Sequence, residues 1–306
     1  MGRPEVIALF GPTGVGKTEV ALALAAVLRS RGEEPVAVGA DALQLYAGLP
    51  ILTGAPGARE RGLLEHRLVG VVPLRERFSA GAYAALAHAE IDGLLAAGRL
   101  PIVVGGTGLY LRAALTDLDL HPPPEPGARE RWEAAVATRG APAVHAELRD
   151  RAPWAAAGID PNDRSRIVRA HELLDAGALE GPRTTSRLWT ADMRRPTLLA
   201  GLTMDRAALA ARIDERVDRM IAAGAVEEVR RADAAGASAT ARAALGFDEL
   251  LAGDVEAMKL RTRRYAKRQL TWMRKLSGVR TIDVTGREPE AVAARIVALW
   301  AGEAGQ

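Results

Sequence analysis

The sequence GPTGVGKT at residues 11–18 constrains the fold of this chain more than any other stretch. It satisfies the spacing G-x-x-x-x-G-K-[ST], and it stands between an apolar run at 5–10 and a segment of helical spacing at 18–31. Between a strand and a helix, such a loop turns its backbone amides toward phosphate oxygens, while the lysine adds positive charge. The pattern predicts a phosphate-binding loop, but it does not say which phosphorylated molecule is bound.

The loop residues predicted to bind phosphate include the three glycines that let the backbone approach a ligand closely. They are Gly11, Pro12, Thr13, Gly14, Val15, Gly16, Lys17 and Thr18. The hydroxyl of Thr18 is also the candidate ligand for Mg²⁺. Of the 41 basic residues, only those at positions 17, 259, 267 and 275 are lysines. Because a compact ammonium fits between phosphate oxygens better than a guanidinium does, the single early lysine supports a phosphate site.

The apolar runs along the chain predict a parallel sheet. Residues 5–10, 35–39 and 100–104 are short apolar stretches separated by segments of helical spacing. Strand, helix and strand in this order give parallel strands with right-handed crossovers, and ligands of such folds bind at the carboxyl ends of the strands. The glycine loop, Asp41 and the GGTG sequence at 105–108 all fall at those ends.

The character of the chain changes at about residue 116. The proline-rich sequence HPPPEPG at 121–127 is typical of a connector, and a helical, arginine-rich segment follows it. The sequence PTLLAGLTM then predicts a strand that returns to the sheet. The expected fold is α/β, with a P-loop NTPase-like parallel sheet flanked by helices and a smaller inserted all-helical domain. Residues 1–115 and 196–306 would form the catalytic core with its C-terminal basic helices, and 116–195 the inserted domain.

Composition excludes several classes of protein. The chain has 306 residues and no cysteine, which rules out disulfides and thiolate zinc sites. No basic and apolar leader precedes the first predicted strand, and no apolar run approaches the ~20 residues needed to span a bilayer. We therefore expect a soluble, cytoplasmic protein that does not bind membranes, with a monomer as the default state.

Positive charge is concentrated in residues 259–275, KLRTRRYAKRQLTWMRK, which hold eight basic residues and no acid. The whole chain carries +3, so the rest is net negative and the basic character is local. The helical spacing of Ala266, Leu270 and Met273 predicts that one face of this segment packs on the sheet domain. The basic residues then left for solvent or phosphate are Arg263, Arg264, Lys267, Arg268 and Lys275. A merely solvated helix is the alternative.

One acidic residue stands where a catalytic group is expected. A P-loop NTPase usually carries a later strand that ends in an acidic residue, which holds the metal. Here the third strand ends in VVGGTG, and Asp41 is the carboxylate that a core strand delivers to the site. Asp41 either caps a helix N-terminus or accepts a proton from a nucleophile.

Seven motifs occur in one order along the chain: GPTGVGKT, ADALQLY, VVGGTGLYL, DPNDRSRIVRAHELL, RIDERVDRMIAAGAVEEV, ALGFDELL and YAKRQLTWMRK. With them the chain resembles the tRNA dimethylallyltransferases, from about residue 6 to about residue 283. That family attaches an isopentenyl group to the N6 amine of the adenosine 3′ of the anticodon. The resemblance implies that the glycine loop binds the pyrophosphate of dimethylallyl diphosphate, the co-substrate, together with Mg²⁺.

The resemblance also assigns roles to single residues. Asp41 would be the general base that accepts the N6 proton, and Lys17 and Thr18 would act on the diphosphate. Arg212 would reach the same diphosphate, with Arg216 as a second candidate. An allylic diphosphate ionises readily once its leaving group is stabilised, so this chemistry needs no water-activating acid after the third strand.

The expected macromolecular partner is the anticodon stem-loop of tRNA, whose target adenosine must be flipped out of its stack. From the resemblance and from the basic segment, the residues predicted to contact it are Asp41, Ala42, Leu43, Gln44, Thr107, Arg129, Ser165, Arg166, Ile167, Val168, Arg169, Lys267, Arg268, Gln269, Trp272 and Arg274. We expect the donor and the adenine to enter a channel between the sheet domain and the inserted domain from opposite sides.

The chain departs from the family pattern at two positions near the catalytic residue. Ala42 stands where the family usually has a small polar residue, which removes one hydroxyl contact to the substrate. Ala55 stands where it usually has a lysine.

Three other functions stay open on the sequence. A small-molecule P-loop kinase or a prenyltransferase acting on free adenine nucleotides would leave the basic segment without a role. A non-enzymatic RNA-binding module would leave the glycine loop and Asp41 unexplained.

Overall fold

The computed structural model describes residues 2–118, 125–179, 181 and 187–303. They belong to two compact units, a larger one built from Met1–Leu118 with Leu188–Gln306 and a smaller one built from Asp119–Arg187. Most of the proline-rich connector predicted at 121–127 lies outside the described residues.

A six-stranded parallel sheet organises the larger unit. Its strands are β1 (Val6–Phe10), β2 (Pro35–Gly39), β3 (His66–Arg67), β4 (Leu100–Gly105), β5 (Thr197–Thr203) and β6 (Arg280–Asp283). They lie in the order β3-β2-β4-β1-β5-β6, and all neighbours are parallel. Phe10 pairs with Gly105 on one side and with Gly201 on the other, so three central strands end at one edge. The predicted α/β class is confirmed.

Helices cover the sheet and build the smaller unit. In chain order they are α1 (Lys17–Ser30), α2 (Pro50–Thr53), α3 (Ala58–Leu63), α4 (Ala80–Ala96), α5 (Gly108–Leu115), α6 (Ala128–Arg139), α7 (Ala141–Arg151), α8 (Pro153–Ala156), α9 (Arg164–Asp175), α10 (Arg206–Ala222), α11 (Ala225–Ala234), α12 (Ala239–Arg242), α13 (Phe247–Leu251), α14 (Val255–Lys275) and α15 (Pro289–Ala301). In the described part of the chain, no helix combines the length and the apolar character that a membrane span requires.

The last helix, α15, packs on α1 and completes the apolar core on that face of the sheet. Helices α1 and α15 pack against each other, and their buried side chains, including Leu24 and Ile296, belong to one apolar cluster with the central strands. Trp300 is buried in the same cluster and donates its indole N–H to the carbonyl of Pro4 at 2.8 Å. This packing fixes α1, whose N-terminus follows the loop.

Helix α14 crosses the unit next to the carboxyl edge of the sheet and packs against α10, α13 and α5. Ala266 and Met273 are buried and Leu270 is partly buried against the sheet core, as the helical spacing predicts. Met273 lies over Gly201 of β5, where a Cβ atom would approach its sulfur at 2.9 Å. The apolar stripe thus sets which side of α14 faces the site.

The smaller unit has its own core between α6, α7 and α9. Trp132, Val144 and Ile167 are buried in it, and the Trp132 ring stacks on His171 with 3.7 Å between centroids. Apolar packing of this kind makes the unit a folded body in its own right rather than a long loop.

Candidate active site

The glycine loop has the backbone that its sequence requires. Gly14 and Gly16 have φ values of 82° and 100°, the left-handed region that side chains disfavour. Gly16 is also the N-cap of α1 and offers no side-chain cap, so the first backbone N–H groups of that helix stay available. A helix N-terminus with free amides and a positive dipole end is suited to bind an anion.

Lys17 lies over the loop. Its Nζ donates hydrogen bonds to the carbonyls of Gly11 and Pro12, both at 2.9 Å. Burial lowers the pKa of Lys17 to about 8, and the nearby Asp41 carboxylate opposes that shift. The ammonium is therefore held at the loop and close to the carboxylate, at a pKa where it is mostly charged near neutral pH.

Two arginines of α10 face the same space. The guanidinium of Arg212 lies beside Gly16. A Cβ atom placed on Gly16 would be only 3.5 Å from it. Arg216 donates from Nη2 to the carbonyl of Thr53 at 3.2 Å. Burial lowers the pKa of Arg216, while the charges of Asp41 and Glu19 favour its charged form. Both side chains line a cavity of about 680 Å³ together with the glycine loop.

Polar contacts hold in place the part of the cavity wall that residues 50–54 form. Gln44 donates from Nε2 to the carbonyls of Thr53 and Gly54, at 3.3 and 3.1 Å. The buried carboxylate of Glu228 accepts the N–H groups of Ile51 and Leu52, at 3.0 and 2.7 Å. These bonds fix α2 at both ends. Sequence reasoning missed Glu228, because it lies far along the chain on α11.

Asp41 follows β2 and lines the same cavity. Its Oδ1 accepts the backbone N–H of Leu43 at 3.0 Å, and the next helix begins only at Pro50. The interpretation of Asp41 as a helix N-cap is therefore wrong, since the carboxylate closes a turn instead. In the part of the chain that the structure describes, Oδ2 of Asp41 forms no hydrogen bond, so one carboxylate oxygen is available to a ligand.

A second cavity of about 250 Å³ adjoins the first, and the two share Leu43, Leu245 and Tyr265. Four aromatic rings line it, those of Tyr46, Phe78, Tyr110 and Tyr265. A narrow, aromatic cavity of this kind suits a flat aromatic ligand. All described lining residues of both cavities belong to the larger unit.

Polar groups of the second cavity surround Thr107. Its hydroxyl lies 3.3 Å from the hydroxyl of Tyr265 and accepts the N–H of Ala42 at 3.5 Å. Burial raises the pKa of Tyr265 to about 12, so its hydroxyl stays protonated and can donate. Arg268 stacks on the Tyr265 ring at 5.4 Å. Of these residues the sequence predicted Ala42, Thr107 and Arg268 but missed Tyr265, which lies four residues before Gln269 on the same helix face.

The structure corrects the prediction for Gln269. This side chain is 4% exposed and contacts two loops of the protein, so it is not available to RNA. It accepts the N–H of Thr13 at 2.9 Å and donates to the carbonyl of Gly106 at 2.7 Å. Trp272, one turn further, lies partly buried on Gly108 and beside Trp189, with 4.6 Å between ring centroids.

The basic surface of α14 is narrower than the sequence predicted. Arg263 binds both carboxylate oxygens of Asp214, at 2.6 and 2.8 Å, so its assignment to solvent or phosphate is wrong. Likewise Arg261 pairs with Glu249 at 2.7 Å. Lys259 pairs with Asp218 and Glu256. Acidic residues of α10, α13 and the first turn of α14 itself neutralise these three residues.

Five basic residues remain exposed along one side of α14, and we call them the basic face. They are Arg264, Lys267, Arg268, Arg274 and Lys275. Within the described residues, none of the five forms an ion pair. Like charges held this close repel one another, which favours binding of an anionic partner.

The motif of the smaller unit divides into exposed and buried residues. Ser165 and Arg166 are exposed, whereas Ile167 and Val168 are buried in the core of the unit. The prediction that these two apolar side chains contact RNA is wrong, because packing inside the unit already uses them. Arg129 and Arg169 both bind the buried carboxylate of Glu172, at 3.2 and 3.0 Å.

The described residues that line the cavities form no ready-made metal centre. Among the described residues, no group of three histidine or acidic side chains is arranged to hold a metal ion. Thr18, Glu19 and Asp41 nevertheless line the first cavity. A hydroxyl and a few separate carboxylates fit Mg²⁺, which binds in such sites through few protein oxygens, several waters and the phosphates of the substrate.

The chain is similar to known proteins along nearly its whole length. The sequence pattern of the IPP transferase family matches residues 44–276. The chain is 40% identical to a tRNA dimethylallyltransferase of Kineococcus radiotolerans, over 98% of both chains. It is 32% identical to the full-length tRNA isopentenylpyrophosphate transferase of Bacillus halodurans, whose crystal structure matches with a TM-score of 0.68 over 97% of this chain and 96% of that one.

A third comparison bears on the fold alone. The structure of a eukaryotic dimethylallyltransferase acting on tRNA matches with a TM-score of 0.75, covering 96% of this chain and 77% of that one, at 24% identity. The two proteins thus share one fold, although few of their residues are identical.

Proposed function

Because the chain belongs to the IPP transferase family, we propose that it transfers a dimethylallyl group from dimethylallyl diphosphate to tRNA. The acceptor is the N6 amine of the adenosine 3′ of the anticodon, and diphosphate is released. The observation that carries this proposal is the arrangement of two cavities around Asp41 and Leu43. A cationic cavity with a phosphate-binding loop lies on one side and an aromatic cavity on the other.

The first cavity binds the donor. The diphosphate lies at the N-terminus of α1, where backbone amides, Lys17 and Arg212 supply positive charge. Arg216, buried in the same wall, adds a second guanidinium. As the bond between the allylic carbon and the diphosphate oxygen breaks, negative charge accumulates on the leaving group. These groups stabilise that charge more strongly than they stabilise the intact donor, which is how they accelerate the reaction.

Mg²⁺ fits this site through Thr18 and the diphosphate oxygens. The ion would add positive charge against the departing diphosphate. The protein supplies the Thr18 hydroxyl at the second position of α1, so the ion would be held on the phosphates rather than in a cage of side chains.

Asp41 acts on the acceptor. An adenine amine is a weak nucleophile, and it must lose a proton as its bond to the allylic carbon forms. The free carboxylate oxygen of Asp41 accepts that proton, while the other oxygen keeps the turn closed through Leu43. Holding the carboxylate in a closed turn positions the base without a reorganisation during the reaction.

The second cavity receives the flipped adenine. Its aromatic rings stack on the base, and the hydroxyls of Thr107 and Tyr265 offer hydrogen bonds to the base edge. Ala42 contributes a methyl group here, and its backbone N–H donates to the hydroxyl of Thr107.

The tRNA backbone binds to the basic face of α14, and Ser165 and Arg166 of the smaller unit add exposed contacts. The five cations of the basic face, which form no ion pair with any residue that the structure describes, follow one side of a helix of 21 residues. The five side chains lie between positions 264 and 275, which is about 17 Å of helix and enough to reach a few neighbouring phosphates.

Incubation with labelled dimethylallyl diphosphate, Mg²⁺ and an acceptor tests the proposal. Unmodified tRNA should gain the label and AMP should not, because AMP lacks the backbone that the basic face binds. Label on AMP alone would show that the acceptor is a free adenine nucleotide and not tRNA. Turnover of ATP without prenyl transfer would replace the proposal by a kinase.

A further inference from the structure

Gln269 joins two loops of the active site to the RNA-facing helix. Thr13 belongs to the glycine loop after β1, and Gly106 follows β4, the neighbouring strand. The side-chain amide of Gln269 accepts the N–H of Thr13 at 2.9 Å and donates to the carbonyl of Gly106 at 2.7 Å. One neutral side chain thus satisfies a donor and an acceptor at the carboxyl edge of the sheet, which a carboxylate or an ammonium in its place would not do.

The glycine at position 106 makes room for this contact. A Cβ atom there would overlap Nε2 of Gln269, and it would also lie 3.2 Å from the carbonyl of Gly11 and 3.3 Å from Nζ of Lys17. Gln269 therefore packs against the same loop backbone that holds the catalytic lysine.

The other side of the helix at this point belongs to the basic face. Lys267 and Arg268 directly precede Gln269 and are exposed, whereas Gln269 points inward. Because a helix moves as a stiff element, the position of Gln269 depends on how α14 packs against the rest of the unit. The backbone of the glycine loop depends in turn on Gln269.

We propose that Gln269 is a positioning residue that holds the peptide of Thr13, and through it the glycine loop, in the conformation that binds the donor diphosphate. Gln269 lines the first cavity, but its amide is engaged by Thr13 and Gly106, so we assign it a positioning role and no part in the bond changes. Without Gln269, the buried carbonyl of Gly106 and the half-buried N–H of Thr13 lose their partner, and the loop rearranges to satisfy them. The amides of the loop then no longer converge on one anion. The identity of the donor rests on the function proposed above, but the binding of a diphosphate does not.

The test compares two substitutions on the same helix. Gln269→Leu removes both hydrogen bonds at similar volume, and Met273→Ala opens a core cavity one turn away without touching the loops. For each variant we would measure the Tm, the affinity for inorganic pyrophosphate with Mg²⁺ by calorimetry, the donor KM and the tRNA Kd.

We expect both variants to lose Tm, but Gln269→Leu alone to weaken pyrophosphate binding and raise the donor KM. The change should be about tenfold, which corresponds to the loss of one net hydrogen bond in a buried network. The tRNA Kd should stay within about twofold in both variants. Pyrophosphate affinity equal in Gln269→Leu and wild type would overturn the proposal and leave Gln269 a structural residue.

A second pair of variants covers the case in which Gln269→Leu fails to fold. Gly106→Ala should displace the amide and reproduce the loss of pyrophosphate affinity, and the same substitution should cost little further affinity in a Gln269→Ala background. An equal cost in both backgrounds would show that the methyl group disturbs Gly11 or Lys17 directly, which contradicts the proposal. If the wild-type protein bound pyrophosphate but prenylated no tRNA, the proposed function would be contradicted while the proposal for Gln269 could still be tested.

Discussion

The hydroxyl of Thr107 lies 3.3 Å from the hydroxyl of Tyr265, in the second cavity and at its boundary with the first. Thr107 precedes α5 at the carboxyl edge of the sheet, and Tyr265 comes from the middle of α14. The pair joins the sheet edge to α14 at the position proposed for the adenine.

We predict that Tyr265→Phe lowers kcat/KM for tRNA by about tenfold, because it removes one hydrogen-bonding group from the adenine cavity while keeping the ring. The donor KM should change less, since the hydroxyl that is removed lies beside Thr107 in the second cavity. Steady-state kinetics with each substrate varied in turn would check this, and a rise in the donor KM alone would contradict it.

The titration of Lys17 should lower the rate of the reaction at alkaline pH. Burial places the pKa of its ammonium at about 8, so the free protein loses this charge as the pH rises through that value. We predict that kcat/KM for the donor is level below about pH 8 and falls about tenfold per pH unit above it.

Lys17→Arg is the control, because a guanidinium stays charged throughout that range. It should lower the plateau and remove the alkaline fall, which a pH series of initial rates would show. A wild-type profile that stays level to pH 10 would exclude Lys17 as the titrating group.

Exposed charge on α14 should set the salt dependence of tRNA binding. Replacing Arg264, Lys267 and Arg274 with glutamine removes about three phosphate contacts, so the slope of log K against log salt should become shallower by about 2. Binding titrations at several salt concentrations measure this slope.

Arg263→Gln offers a matched comparison on the same helix. Asp214 already neutralises Arg263, so its removal should leave the salt slope unchanged. If the triple variant kept the wild-type slope, the basic face would not be the RNA surface.

The sequence predicted the parts of the site that depend on local pattern. The glycine loop, the strand before it and the place of Asp41 follow from short-range rules of backbone geometry and sheet topology. The motif resemblance placed Arg212 near the loop, and the structure brings it beside Gly16.

Long-range pairing could not be predicted in the same way. The neutralisation of Arg263 depends on Asp214, 49 positions earlier on another helix. A run of basic residues without an acid looks uniformly exposed until its neighbours in space are known.

Two misassignments had a signal in the sequence. Gln269 lies three residues after Ala266 and four before Met273, on the buried stripe of the helix rather than between its exposed charges. Ile167 and Val168 are apolar residues inside a motif that is otherwise polar, and such residues most often pack in a core. Helical periodicity applied residue by residue within the motifs would have separated these side chains from the exposed ones.

The role of Asp41 is the central claim, and Asp41→Asn tests it most directly. Asparagine keeps an oxygen that can accept the N–H of Leu43, so the turn is preserved while the base is lost. In a single-turnover assay with saturating donor, we predict that transfer to tRNA slows by at least about 100-fold, the range expected for a general base, while the tRNA Kd stays within about twofold. Transfer within about tenfold of wild type, or a loss of tRNA binding in its place, would contradict the account.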